Sequence, residues 1–151
     1  MEYIENNKQE GCVFCNAQEQ EDSAANLIAL RGERAYVILN RYPYTSGHLM
    51  VVPFEHKPTL EELDPLTRAE MMELTTRCMA VLRKVYRPQA FNMGANIGEA
   101  AGAGVKAHVH IHIVPRWAGD TNFISILGET RVLPETLETT YQRLRNRFSE
   151  V

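Results

Sequence analysis

The stretch AHVHIHIVPRW, residues 107–117, holds three of the five histidines in this 151-residue chain, at His108, His110 and His112. One apolar residue separates each neighbouring pair, and such alternation is typical of a β-strand with two different faces. The intervening and following apolar residues are predicted to pack into the core, and the three imidazoles to share the opposite face. These apolar residues are Val109, Ile111 and Ile113.

The spacing of the three imidazoles limits the chemistry they can perform. Successive histidines on a strand lie roughly 6.6 Å apart, at a rise of about 3.3 Å per residue. This span disfavours one metal ion bound by all three side chains. Two chemistries stay open: neighbouring imidazoles as ligands of a catalytic zinc ion, or one imidazole as a nucleophile that attacks phosphorus and forms a covalent intermediate.

A glycine-rich loop, NIGEAAGAGVK at residues 96–106, directly precedes the histidines. Glycines let the backbone approach an anion closely and turn several N–H groups towards it. As a motif this is weak, because many glycine-rich turns bind nothing. Its position before three histidines favours a phosphate-binding role.

Composition predicts an ordinary globular protein of one domain, residues 1–151, with 44% apolar and 23% charged residues. A net charge of −3 argues against charge-driven binding to nucleic acid. The first residues, MEYIENNKQEG, lack the apolar run of a signal peptide, and no apolar stretch is long enough to span a membrane. Three cysteines without a disulfide pattern indicate reduced thiols, so we expect a cytoplasmic protein.

The order of the predicted elements indicates an α+β fold with a mostly antiparallel sheet of about five strands, because strands come in runs. The predicted strands cover residues 27–31, 35–40, 48–53, 90–97 and the histidine stretch up to Pro115. One long central helix is predicted from Pro65 to before Pro88, with Asp64 as N-cap. A C-terminal helix is predicted at about 134–148, and residues 122–127 as a short edge strand or ordered arm.

The pattern HVHIHIV at residues 108–114 resembles the His-φ-His-φ-His-φ-φ signature of the histidine triad (HIT) superfamily of nucleotide hydrolases and transferases. The flanks AYVILNRYPYTSGHLMVVPFEH (35–56) and NIGEAAGAGVKAHVHIHIVPRWAGDTNF (96–123) are similar to the bacterial branch that resembles diadenosine tetraphosphate phosphorylases. The resemblance covers roughly residues 12–127. It implies a HIT-like fold for the single domain.

The resemblance implies that His110 attacks the α-phosphate of a nucleotide and forms a nucleotidyl-histidine, which water or inorganic phosphate then resolves. His112 is implied to contact the phosphate and stabilise its charge. The implied substrate is a diadenosine polyphosphate, with an adenine nucleotide favoured. Only the Pro-Arg-Trp flank at 115–117 favours phosphorolysis over hydrolysis.

The resemblance implies further residues that contact the substrate. One lies against the ribose, one lies near the triad and three lie in or before the phosphate loop. They are Asn40, His48, Asn96, Gly104 and Val105. For His48, the role of a core histidine is an equal alternative. Many relatives carry a serine or glutamine in the phosphate loop, whereas GAGVKA (102–107) offers backbone amides and Lys106. This departure leaves the preferred acceptor or leaving group open.

The N-terminal segment contains a single Cys-x-x-C pair, Cys12 and Cys15. The pair by itself fits a redox motif, half of a zinc site or coincidence, and the missing βαβ context disfavours the redox motif. Resemblance to some bacterial members implies one structural zinc per chain, bound by Cys12, Cys15, His56 and His108 in a zinc-binding segment at about 10–20. No organic cofactor is expected.

Three alternatives to a dinucleoside polyphosphate enzyme stay open. A purine nucleoside phosphoramidase of the same superfamily shares the site and differs in the leaving group. A metallohydrolase with a catalytic zinc on the strand histidines would lose activity on chelation and form no covalent nucleotide. A nucleotide-binding module would bind without turnover. The resemblance also implies a homodimer.

Overall fold

The structure is a computed structural model, and it describes residues 11–121 and 134–151. Within these residues five strands form one antiparallel sheet with the order β1-β2-β3-β5-β4. The strands are β1 (Ile28–Arg31), β2 (Ala35–Leu39), β3 (Leu49–Pro53), β4 (Ala90–Gly94) and β5 (Ile111–Arg116). The predicted α+β fold is confirmed. The arm predicted at 122–127 lies outside the described residues.

The described part of the chain contains α-helices α1 (Val13–Gln18), α2 (Pro65–Tyr86) and α3 (Leu137–Phe148). Helix α2 begins as predicted, because the Asp64 carboxylate accepts a hydrogen bond from the Leu66 N–H at 2.8 Å. It ends at Tyr86, where Arg87 takes a left-handed conformation with a φ of 49°.

The start of the C-terminal helix needs correction, and one further helix was not predicted. Helix α3 starts at Leu137 and not at residue 134, because the Thr136 hydroxyl accepts from the Thr139 N–H and caps the helix. Helix α1 lies in a segment for which no helix was predicted. It has six residues, too few for local propensity to indicate it.

The core lies between the sheet and the inner faces of α2 and α3. Cys78 on α2 is fully buried, as predicted, and burial raises the pKa of its thiol, so this cysteine is an inert core residue. The apolar residues between the histidines are also in the core, as their alternation predicts. They are Val109, Ile111 and Ile113, which are 2%, 7% and 0% exposed.

The strand with the histidines is shorter than predicted, since β5 begins at Ile111. Its pairing with β3 reaches only to the partners Val51 and Ile111. Beyond them β3 ends at Pro53, which has no N–H to donate. The Val109 N–H instead donates to the Lys57 carbonyl at 2.8 Å. His108 and His110 therefore precede the strand, and their backbone is not part of the sheet pairing.

The fourth predicted strand is also shorter than expected and stops at Gly94, before the glycine-rich loop. Among the helices of residues 11–121 and 134–151, none has the length and apolar character needed to cross a membrane.

Candidate functional site

Four side chains from three distant segments converge on one point at the base of the site. They are Cys12, Cys15, His56 and His108, and one potential ligand atom of each lies within 4.8 Å of the others. The Cys12 Sγ lies 3.3 Å from His108 Nδ1, and the Cys15 Sγ lies 3.4 Å from His56 Nδ1. The structure thus brings together all four residues of the implied zinc set.

Hydrogen bonding around this cluster suits a metal ion. His108 donates its Nε2–H to the Pro53 carbonyl at 2.8 Å, which leaves the Nδ1 lone pair facing the two sulfur atoms. Burial and the neighbouring Cys12 raise the pKa of the Cys15 thiol, and a cation would reverse that effect. Two thiolates and two imidazoles match the ligand chemistry of a tetrahedral zinc site.

The geometry of His110 is that of a nucleophile with a fixed tautomer. Its Nδ1 lies 2.9 Å from the His108 carbonyl oxygen, and only an N–H can bond there, so the lone pair is on Nε2. The side chain is 5% exposed, and burial lowers its pKa below the ordinary histidine value. The imidazole is therefore neutral at neutral pH, as nucleophilic attack requires.

His112 belongs to a second chain of hydrogen bonds that starts at the backbone. The Tyr44 N–H donates to His48 Nδ1 at 3.1 Å, so His48 has its proton on Nε2. That Nε2–H donates to His112 Nδ1 at 2.9 Å, which assigns the His112 proton to Nε2. Burial, followed by the neighbouring His110, lowers the pKa of His112 to about 4. His112 is thus a neutral hydrogen-bond donor beside the His110 ring, at 4.8 Å between centroids.

The loop between β2 and β3 holds Asn40 and His48 in contact. The Asn40 amide oxygen accepts from the Tyr42 N–H at 2.9 Å, and its nitrogen lies 3.5 Å from both ring nitrogens of His48. Gly47 has a φ of +84°, and a Cβ there would lie 2.9 Å from Leu82. Glycine is therefore required next to His48 for both conformation and space.

The glycine-rich loop precedes the histidines, and its predicted contact residues make no hydrogen bond to His110 in the described part of the chain. The amides of residues 101–103 bond within the loop, whereas those of Gly104 and Val105 donate to no group in the described part of the chain. Asn96 lies 3.9 Å from the place of a Cβ on Gly102. The Lys106 ammonium pairs with Glu99 at 3.1 Å. Across the described ranges, no hydrogen bond joins Asn96, Gly104 or Val105 to His110.

Phe14 was not predicted as a site residue, and its ring packs between those of His108 and His110. The ring centroid is 5.5 Å from that of His108 and 4.8 Å from that of His110. The only sequence signal was its place inside the Cys-x-x-C pair.

Comparison with known proteins matches the HIT domain family to residues 21–119. The AP-4-A phosphorylase of Mycobacterium tuberculosis (strain CDC 1551 / Oshkosh) is 44% identical over 123 residues, which cover 82% of this chain and 63% of that protein. The asymmetrical bis(5'-nucleosyl)-tetraphosphatase of Schizosaccharomyces pombe is 32% identical over 62% of this chain and 50% of its own length. This chain thus spans less than two thirds of either relative.

Among solved structures, a Zn-bound histidine triad family protein from Mycobacterium smegmatis superposes with a TM-score of 0.73 at 29% sequence identity. The superposition covers 93% of this chain and 94% of that protein. The fold is therefore shared over almost the whole chain.

Proposed function

Because the chain belongs to the HIT family, we propose that it is an enzyme that cleaves diadenosine polyphosphates through a covalent nucleotidyl-His110 intermediate. The observation that carries this proposal is the hydrogen bond from His110 Nδ1–H to the His108 carbonyl, which leaves the Nε2 lone pair free to attack. The relative named AP-4-A phosphorylase supports a dinucleotide substrate and inorganic phosphate as the acceptor.

The reaction takes place in two displacements at the α-phosphorus. His110 Nε2 forms an N–P bond as the P–O bond to the leaving nucleotide breaks, and the electron pair leaves on that oxygen. Inorganic phosphate then attacks the same phosphorus, the N–P bond breaks and the lone pair returns to Nε2. The Nδ1–H bond to the His108 carbonyl stabilises the positive imidazolium of the intermediate.

The remaining site residues support these displacements without bonding to phosphorus. His112 donates its Nε2–H to one phosphate oxygen, and the backbone N–H groups of Gly104 and Val105 donate to another. Asn40 and Asn96 contact the ribose and the phosphate respectively. Cys12, Cys15, His56 and His108 would hold one zinc ion, which would cross-link the N-terminal segment to the rest of the fold.

The metal cluster disfavours the alternative of a catalytic zinc. Four protein ligands fill a tetrahedral coordination shell, so no position is open for water or substrate. His110 and His112 are outside the cluster, and each uses its Nδ1 in a hydrogen bond of its own.

Product analysis tests the proposed reaction. Diadenosine tetraphosphate is incubated with the protein, with and without inorganic phosphate, and the nucleotides are separated by chromatography. ADP plus ATP that appear only with phosphate are the expected result. AMP plus ATP without phosphate identifies a hydrolase that uses the same nucleophile. If neither pair forms, the dinucleotide assignment is wrong, and an adenosine phosphoramidate is the next substrate to test.

Substitution of His48 is expected to slow the chemical step. His48→Ala removes the donor to His112 Nδ1, so the His112 tautomer is no longer fixed. A hydrogen bond between two neutral imidazoles contributes about 0.5–1.5 kcal/mol, and kcat should fall by roughly 2- to 13-fold with little change in KM. His48→Gln keeps an N–H donor and should recover part of the loss. Steady-state kinetics that show a change in KM alone would assign His48 to substrate binding.

The value of kcat/KM should decrease only at acidic pH. Neutral His110 is the reactive form, and burial lowers its pKa from the ordinary value of 6.5. The rate is therefore expected to be constant near neutral pH and to fall only as the pH decreases below about 6.5. His112, with its pKa of about 4, is protonated only at a still lower pH. A limb with its midpoint above 6.5 would contradict the assignment.

We further propose that two chains form a homodimer through the edge strand β4. This strand leaves one edge unpaired within the described residues, and Met93 and Ile97 are 45% and 42% exposed. Light scattering should give twice the chain mass of 17.2 kDa. Met93→Lys should shift the protein to monomers, whereas Met72→Lys, at an exposed position on α2, should not. A monomeric wild-type protein would refute this assembly.

A further inference from the structure

Phe14 occupies a position that joins the metal cluster to the nucleophile. It lies on α1 between the two cysteines, and its side chain is 5% exposed. Its ring is tilted by 55° against the His110 ring and meets the His108 ring edge-on at 71°. One aromatic side chain therefore packs on both His110, the proposed nucleophile, and His108, a proposed metal ligand.

The backbone of Phe14 is held independently of its ring. Its carbonyl accepts a hydrogen bond from the Tyr36 hydroxyl at 2.8 Å, and Tyr36 on β2 is fully buried. Cys12 and Cys15 on either side of it belong to the metal cluster. Three attachments thus place a six-residue helix, which has little stability of its own, against His110.

The orientation of the His110 ring needs such a support. The terminal torsion of a histidine is broad and allows roughly two ring orientations, so packing must select one of them. Only one orientation lets Nδ1 donate to the His108 carbonyl and keeps the lone pair on Nε2. The Phe14 ring packs on the His110 ring with 4.8 Å between centroids, so an imidazole that rotates out of its plane towards the alternative orientation meets the phenyl group.

We propose that Phe14 is a positioning residue: its ring holds the His110 imidazole in the reactive orientation and excludes water from one face. The proposal rests on the proposed function, in which His110 is the nucleophile. It also gives the metal cluster a second role, because the ligands that hold α1 thereby set the orientation of the attacking nitrogen.

The test compares the zinc-loaded wild-type protein with Phe14→Leu, Phe14→Val and Phe14→Ala, at matched zinc content. Val13→Ala is the control, because Val13 is on the same helix and 48% exposed. Two readouts are taken: the ¹⁵N chemical shifts of the His110 ring nitrogens, assigned by their loss in His110→Ala, and kcat and KM for diadenosine tetraphosphate.

We expect a single Nδ1–H tautomer of His110 in the wild type, in Val13→Ala and in Phe14→Leu. In Phe14→Val and Phe14→Ala the ring shifts should move towards the average of two tautomers. The loss of kcat should follow the volume removed and reach about 10-fold in Phe14→Ala with KM nearly constant, since small misplacements of a reacting group slow chemistry strongly. If Phe14→Ala does not fold, the comparison of Phe14→Leu with Phe14→Val tests the proposal.

The proposal is overturned if either readout stays at its wild-type value in Phe14→Val and in any folded Phe14→Ala protein. A protein without turnover on any nucleotide would contradict the proposed function only. In that case the ¹⁵N shifts decide on Phe14 by themselves, because they report whether the Nδ1–H tautomer that bonds to the His108 carbonyl is kept, and they need no substrate.

Discussion

His110→Ala is expected to lower kcat for diadenosine tetraphosphate by roughly 10⁴- to 10⁶-fold, the loss seen when a covalent nucleophile is removed. The reason is that, in the proposed mechanism, the lone pair on His110 Nε2 forms the bond to phosphorus, and no neighbouring imidazole can replace it. His112 uses Nδ1 to accept from His48, and its remaining nitrogen carries a proton. Chromatographic assays under single-turnover conditions measure the effect.

Two controls separate lost chemistry from lost structure in this variant. Zinc content and the affinity for adenine nucleotides should match the wild type, because His110 is outside the metal cluster. Acid-quenched wild-type protein should contain an adenylyl group on the peptide that spans residues 107–117, and His110→Ala should not. If the variant keeps more than about a tenth of the wild-type rate, the nucleophile is another group.

Cys15→Ser should produce the largest change in stability, together with loss of the proposed zinc ion. In small zinc domains a structural zinc contributes about 10–16 kcal/mol of apparent binding free energy, which appears as folding free energy. Because this chain also has an apolar core, we expect the free energy of unfolding to fall by several kcal/mol and not to vanish. Denaturant titration and metal analysis measure both quantities.

Cys78→Ala is the matched control for this substitution. Cys78 is a fully buried thiol on α2 that lies outside the cluster, so its replacement leaves a small cavity and retains the zinc. Its cost should be about 1 kcal/mol. A Cys15→Ser protein that is as stable as Cys78→Ala, or that keeps one zinc per chain, would show that the four side chains meet without binding a metal.

Local sequence signals, namely periodicity and helix capping, predicted parts of the fold. The alternation around His110 predicted which residues enter the core, since strand side chains change face at every residue. Asp64 and Pro65 predicted the start of α2 for the same local reason, the capping of free N–H groups. The cytoplasmic location and the single-domain organisation stay predictions.

The contacts within the site could not be predicted from local sequence patterns, because they join residues that are distant in the sequence. The His48–His112 hydrogen bond depends on the register between β3 and β5, in which Met50 is the partner of His112. No local pattern specifies that register. The contact of Phe14 with His110 likewise depends on where α1 lies, and six residues have too little periodicity to predict a helix. The cluster of Cys12, Cys15, His56 and His108 was predictable only through the family resemblance.

The strand order β1-β2-β3-β5-β4 also has a consequence for how the molecule folds. The β1–β2 and β2–β3 pairs join neighbours in sequence, whereas β3 and β5 pair across a separation of more than a third of the chain, as Leu49 does with Ile113. Contacts of such long range form late, because the entropy of closing the intervening loop must be lost first. The insertion of β5 between β3 and β4 is therefore expected to be the slow step in folding. The hydrogen bond between His48 and His112 forms only after that step.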